Sequence, residues 1–241
     1  MAINVDTVYK TVLLILNQQQ RGYLTPDEFN KVGAQVQLNI FEKYLDDLNQ
    51  QYRVLQNDTE YANRVKNIEE NLQYFQKYID NASVPGAITG TNPFTIDLTV
   101  VTDLYRLGSV MYKGIKLSQY SQRNEITQIL LSPLTQPTTN FPIYLYEEGK
   151  LYVYPTSIIS ANDLDISYLK TPTNPNWVSQ PGTLGQLIYD GPNSTPFDLN
   201  ISEQTNVIMR VLAYAGVIIN DPTVIQMAAG QVQSEEQNSK Q

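Results

Sequence analysis

Apolar residues at Val5, Val8, Tyr9, Val12, Leu13 and Leu16 recur with a period near 3.6, which predicts an amphipathic helix over residues 6–17, ended by the polar run 18–22. Thr25-Pro26-Asp27-Glu28 then supplies a capping hydroxyl, a proline at the first helical position and a glutamate three residues after the cap. The stripe that follows, Phe29, Val32, Val36, Ile40, Tyr44, Leu48 and Tyr52, is widened by Phe41 and Leu45 and predicts a long helix to Arg53. A third stripe, Tyr61, Val65, Ile68, Leu72, Phe75 and Ile79, predicts another helix after the start signal Asn57-Asp58-Thr59. Residues 1–80 therefore read as a helical hairpin or bundle.

Residues 81–93 (NASVPGAITGTNP) interrupt this pattern with Gly, Pro and Thr, and beyond them the period changes from helical to alternating. Strands are predicted over 94–101, 105–113 and 164–169, with a short one at 187–189, and a short helix over 121–131 stops at Ser132-Pro133. Residues 171–182 are proline-rich and carry the only tryptophan, Trp177. Asn200 or Ser202 opens a second helical region with Val207, Ile208, Val211, Leu212, Ala215, Ile218 and Ile219 on its apolar face. Asp221-Pro222 restarts a helix through Val224, Ile225 and Ala228, and the tail 231–241 is polar enough to be disordered when free. The predicted fold class is α+β, in which N-terminal and C-terminal helices form a bundle around an inserted antiparallel β-rich subdomain. Its expected divisions are a helical region over residues 1–80, a β-rich subdomain over residues 81–200 containing the helix 121–131, C-terminal helices over residues 201–230 that complete the bundle, and a polar tail over residues 231–241.

The stretch NFPIYLYEEGKLYVYP, residues 140–155, reads as a hairpin turning at Glu148-Gly149. Glu147 then faces Lys150, Tyr146 faces Leu151, Leu145 faces Tyr152, Tyr144 faces Val153 and Ile143 faces Tyr154. One face carries Tyr144, Tyr146, Leu151 and Val153; the other carries Ile143, Leu145, Tyr152 and Tyr154. Antiparallel strands with one wet side alternate with polar residues, so both faces of this hairpin require cover. That cover is either another layer of the same chain or a neighbouring subunit, and the tyrosines suit a contact that buries a ring and leaves a hydroxyl to be satisfied. A carbohydrate platform is a third reading of the same rings.

Composition narrows the chemistry. The 241-residue chain has no Cys and no His, which removes thiol nucleophiles, disulfides, Cys/His zinc sites, Ser-His-Asp triads and imidazole acid/base catalysis. Its formal net charge of -8 argues against a surface that grips phosphates, and only 17% of its residues are charged, which suits extensive protein contact. The run TVLLILN is too short to span a bilayer, and the residues before it lack the basic start and cleavage site of a signal peptide, so a cytoplasmic site of synthesis is expected. PGAITG lacks the Lys-Ser/Thr of a phosphate-binding loop. Asn162-Asp163-Leu164-Asp165 lacks the glycine and distal glutamate of a calcium loop, and the pairs Asp46-Asp47 and Glu69-Glu70 fall on helix faces. No catalytic residue, metal site or cofactor is expected.

The order of segments DLYRLGSV (103–110), RNEI (123–126), PTTNFPIYLYEEGKLYVYP (137–155), LDISYLKTP (164–172) and a helix closing at Asn220-Asp221-Pro222 resembles virion proteins of tailed bacteriophages. The similarity is to head-to-tail adaptor or ring proteins, such as tail tubular protein A of short-tailed phages and the connector rings of crAss-like phages. Tyr144, Leu151, Tyr152, Tyr154, Pro155, Tyr168 and Pro172 carry it. The resemblance implies a structural, non-enzymatic subunit of a cyclic ring, a dodecamer in such adaptors, in the neck or tail of a virion assembled in the host cytoplasm. Its implied partners are further copies of itself, the portal protein and other tail or ring proteins. DNA would pass through without sequence-specific binding, and no membrane is involved. With the hairpin pattern, it nominates Tyr144, Tyr146, Tyr152, Tyr154, Trp177, Val224 and Ile225 as subunit or partner contacts. From a different class comes a tail-associated glycan-binding module that stacks sugars on Tyr144, Tyr152, Tyr154 and Trp177.

Overall fold

A computed structural model describes residues 2–18, 24–53, 59–80, 88–91, 93–114, 116–158, 160, 163–183, 186–219 and 222–238. Helices run over Val5–Gln18 (α1), Pro26–Arg53 (α2), Thr59–Leu72 (α3), Arg123–Leu131 (α4), Gln204–Ile219 (α5) and Pro222–Asn238 (α6). Strands run over Ala2–Ile3 (β1), Gln76–Ile79 (β2), Ile88–Thr91 (β3), Phe94–Asp97 (β4), Leu104–Tyr112 (β5), Lys116–Leu117 (β6), Gln119–Tyr120 (β7), Ile143–Glu147 (β8), Lys150–Tyr154 (β9), Leu164–Lys170 (β10), Ser179–Pro181 (β11), Leu187–Tyr189 (β12) and Phe197–Asn200 (β13). The class is α+β. The chain divides into two compact units, Met1–Tyr74 with Pro172–Gln241, and the inserted Phe75–Thr171.

The helical unit begins where the sequence places it. Asn4 caps α1, its Oδ1 accepting from the amides of Asp6 and Thr7 at 2.8 and 3.3 Å. Thr25 and Glu28 form the expected reciprocal box on α2: the Glu28 amide donates to Thr25 Oγ1 at 3.3 Å, and the Thr25 amide donates to Glu28 Oε2 at 2.9 Å. The Thr25 hydroxyl, which donates to Glu28 Oε2 at 2.7 Å, and then the Thr25 amide hold the Glu28 carboxyl below its ordinary value. The apolar stripes of α1, α2 and α5 meet in one core that buries Val8, Val12, Leu16, Phe29, Val36, Ile40, Phe41, Val207, Val211 and Ala215. Strand β1 pairs antiparallel with β13, which brings Phe197 edge-on to Phe29 with ring centroids 6.5 Å apart.

Residues 172–200 belong to this unit, although the sequence pattern assigns them to the β-rich subdomain. Two amides two turns apart on α2 hold them. Asn30 accepts from the Trp177 amide at 2.7 Å and donates to its carbonyl at 3.1 Å. Gln37, buried, donates to the Thr173 carbonyl and accepts from the Asp198 amide, both at 2.8 Å. Each amide thus serves as a strand-like partner for returning backbone that would otherwise be buried unsatisfied.

A second difference lies at the other junction. The third apolar stripe predicts a helix to Ile79, but α3 stops at Leu72, Phe75 is buried, and Gln76–Ile79 forms β2, paired antiparallel with β10. The spacing of Phe75 and Ile79 fits a helix, yet an unpaired sheet edge offers this segment ladder bonds, and tertiary pairing overrides local period. Unit boundaries therefore fall at 74/75 and 171/172 rather than at 80/81 and 200/201. The expected strand 94–101 is also shortened: the Asp97 carboxylate accepts from Thr99 N at 3.0 Å and Thr99 Oγ1 at 2.6 Å, turning Leu98–Val100 into a 3-10 turn.

The inserted unit is a sandwich. One sheet has the order β2-β10-β5-β6 and the other β3-β4-β9-β8-β7; the pairings are antiparallel except β7 with β8. Val110, Tyr112, Leu164 and Ile166 of the first sheet share one core with Phe94, Ile96, Tyr144, Leu151 and Val153 of the second. At the edge of the first sheet, Lys77 of β2 bridges to Asp103 at 2.5 Å, and the Tyr168 hydroxyl of β10 donates to the other Asp103 oxygen at 3.1 Å.

These fastenings can be tested separately. Thr25→Ala should lower unfolding free energy by ~1 kcal/mol in urea titration, the ordinary worth of an N-cap. Lys77 first, then Tyr168, hold the Asp103 carboxyl below its ordinary value, so the native state takes up that proton later than the unfolded chain does. The stabilisation is complete above the unfolded value of about 3.9 and is lost as pH falls through the lower folded value. Asp103→Asn should therefore lower the urea midpoint most at neutral pH and least in acid, which flattens the acid limb of a plot of midpoint against pH.

Candidate functional site

The hairpin has the register that the sequence implies, from Ile143↔Tyr154 to Glu147↔Lys150. Its turn residues Glu148 and Gly149 both have positive φ, 52° and 73°, as a two-residue turn matched to strand twist requires. Gly149 is needed twice over, because a Cβ there would stand 2.6 Å from Thr99 Cγ2.

Both faces are covered within the inserted unit. Tyr144, Leu151 and Val153 lie in the core between the sheets, with Tyr146 packed against it. Ile143 and Leu145 lie beneath α4, in a cluster with Ile126 to which Ile129, Tyr152 and Tyr154 add partly buried surface. The 3.6-period pair Ile126 and Ile129 is the signal that identifies the covering helix. Of the two sources of cover that the sequence leaves open, the chain itself supplies both faces.

Charge closes one end of this assembly. Arg123 Nε donates to Glu147 Oε2 at 2.9 Å, Arg123 Nη2 reaches the same oxygen, and the guanidinium carbon stands 5.8 Å from the Tyr152 ring centroid. The pair is largely exposed and contributes little to stability beyond orientation. Burial, with the Tyr120 ring next, holds the Tyr144 phenol above its ordinary value, and burial does the same to Tyr154.

The expected contact residues are not brought to one surface. Tyr144 is buried in the sandwich and Tyr146, Tyr152 and Tyr154 are half-buried on its strands. Trp177 lies in the helical unit, also buried, its Nε1 donating to Asp6 Oδ1 at 3.0 Å and its ring packed between Tyr9 and Tyr189 at 4.5 and 5.9 Å. Tyr144 and Trp177 are thus core residues rather than docking surfaces, because each completes a hydrophobic cluster of its own unit. The same burial withdraws Tyr144 and Trp177 from the set of rings named for glycan stacking, and leaves Tyr152 and Tyr154 half-buried. Val224 and Ile225 lie on α6, and their side chains fall outside the described residues.

Among the described residues, acidic groups converge on no site either. Asp46, Glu69 and Glu70 are exposed on their helices, and Asp47 is half-buried. Of the Asn162–Asp165 run, Asn162 lies outside the described residues, and Asp165 is buried within β10 as a partner of the Tyr78 hydroxyl. Among the described residues no three His, Cys, Asp or Glu side chains converge to hold a metal ion, and no helix is long and apolar enough to cross a membrane.

Sequence reasoning overlooks a set of exposed apolar side chains at the end of α4 and in the loop after it: Leu131, Leu134 and Phe141. The signal available for them is the absence of any charged residue from Ile126 to Tyr146. No protein-family model matches the chain, and no curated protein matches it in sequence.

Because the chain covers the hairpin itself, Leu145→Ala should cost the isolated protein about 2–5 kcal/mol in urea unfolding. A hairpin whose cover came from a neighbouring subunit would lose little under the same measurement.

Proposed function

We propose that the chain is a structural subunit of an oligomeric ring in the head-to-tail connector of a tailed phage, joining portal to tail and lining the DNA passage. The observation that carries this reading is where the resembling segments fall. DLYRLGSV forms most of β5, PIYLYEEGKLYVYP forms β8 and β9, and LDISYLK forms β10, so these segments share one folded body, while the closing helix of the motif order belongs to the helical unit. A helical unit interrupted by such an insertion suits an adaptor, in which one body builds the ring and the other faces the next component. The acidic balance suits a conduit, since a lumen that repels phosphates lets DNA slide. In this reading the protein acts by assembly rather than catalysis, in a virion put together in the host cytoplasm, with portal, ring and tail proteins as its partners.

The test is electron microscopy of the purified protein, alone and mixed with the portal protein encoded in the same genome. Closed rings with a central channel, seated coaxially on the portal, are the expected result. A chain that neither closes into rings nor binds portal, from a genome whose adjacent frames encode no portal, terminase or tail protein, would refute the reading.

A further inference from the structure

Between α4 and β8 the chain makes two tight turns in succession. The Thr135 amide donates to the Ser132 carbonyl at 3.2 Å, with Pro133 at the position such a turn favours, and the Thr135 hydroxyl donates to the Ile129 carbonyl at 3.3 Å. Thr138 and Phe141 then exchange both backbone bonds, at 3.3 and 3.0 Å. Pro137 and Pro142 are buried, and the Pro142 carbonyl accepts from the Gln119 amide at 3.0 Å, so the loop is anchored in the body of the inserted unit. What it presents outward is apolar: Leu131 is 77% exposed, Leu134 96% and Phe141 79%.

The chemistry of this projection restricts its partner. A loop whose turns close on their own backbone bonds is poorly suited to adding a strand to another sheet, so recognition falls to its side chains. From Ile126 to Tyr146 there is no charge, and no Lys or Arg lies between Arg123, which is engaged by Glu147, and Lys150. Anionic lipid and nucleic acid both call for basic side chains and are disfavoured here. A protein surface fits, because docking the loop leaves no charge to desolvate. Copies of a chain with net charge -8 repel one another where their carboxylates face, and a neutral, apolar projection is where they can meet without that repulsion.

We propose that the 131–142 segment is a contact between copies of this chain, with Leu134 and Phe141 as its anchoring side chains. In a ring the contact joins unlike faces of successive copies, since a like-face contact stops at a dimer and an unlike-face one closes into a ring when its rotation allows. The inference in this form rests on the ring reading.

The test compares the wild-type full chain with Leu134→Asp/Phe141→Asp and with Val100→Asp, a control at another exposed apolar position of the same unit. Mass photometry and light scattering over a concentration series, with and without portal, report association; circular dichroism and melting temperature report folding. The expected result is that wild type and Val100→Asp associate alike, while the double variant keeps its melting temperature and needs about tenfold or more higher concentration to half-associate. Undiminished association of the double variant would overturn the loop assignment and leave the ring reading standing, as would an equal loss in the Val100→Asp control. Association that stops at a dimer and is lost in the double variant would uphold the loop as a contact between copies and overturn both the unlike-face geometry and the ring. A wild type that stays monomeric throughout, portal included, would overturn both.

Discussion

A two-stranded ribbon without a polar side must be buried twice, and the inserted unit is arranged around that requirement. One face of β8–β9 closes on the facing sheet, β2-β10-β5-β6, through Tyr144, Leu151 and Val153, and the other closes on α4 through Ile143 and Leu145. Such a ribbon gains little register information from its side chains, since a slip by one residue exchanges one apolar face for another. Register must come from elsewhere. The Glu148-Gly149 turn fixes the count, the Gly149 carbonyl accepts from the Leu98 amide at 2.9 Å, and Arg123 holds Glu147 beside the turn.

The consequence for partners is a division of labour among apolar residues. Those of the hairpin stabilise the unit from within, whereas those between α4 and β8 lie outside it on a backbone already fixed by its own bonds. A preformed projection loses little conformational entropy on docking, which is how a small contact gains affinity. In the proposed ring, a modest contact would become collectively durable because every copy would be held on two sides.

Much of this architecture is legible in the sequence where its cause is local. The period and caps of α1 and α2, the hairpin register and its turn depend on residues within a few positions of each other. The two misplaced unit boundaries share a cause: partners distant in sequence. Residues 76–79 carry a helix-compatible spacing and become a strand because β10, about ninety residues away, offers an edge. Residues 172–200 join the helical unit because Asn30 and Gln37 hold backbone 147 and 136 residues further on. Tyr144 and Trp177 are aromatic in a pattern that fits core and contact equally, and only their surroundings decide between them.

The fastening of the helical unit's return segment has a bearing on the conditions it tolerates. Asn30 and Gln37 hold it through neutral amides, whose bonds neither titrate nor weaken as ions gather around them. Those amide bonds keep their geometry from dilute buffer to concentrated brine, and across acidities at which a carboxylate-ammonium pair would part.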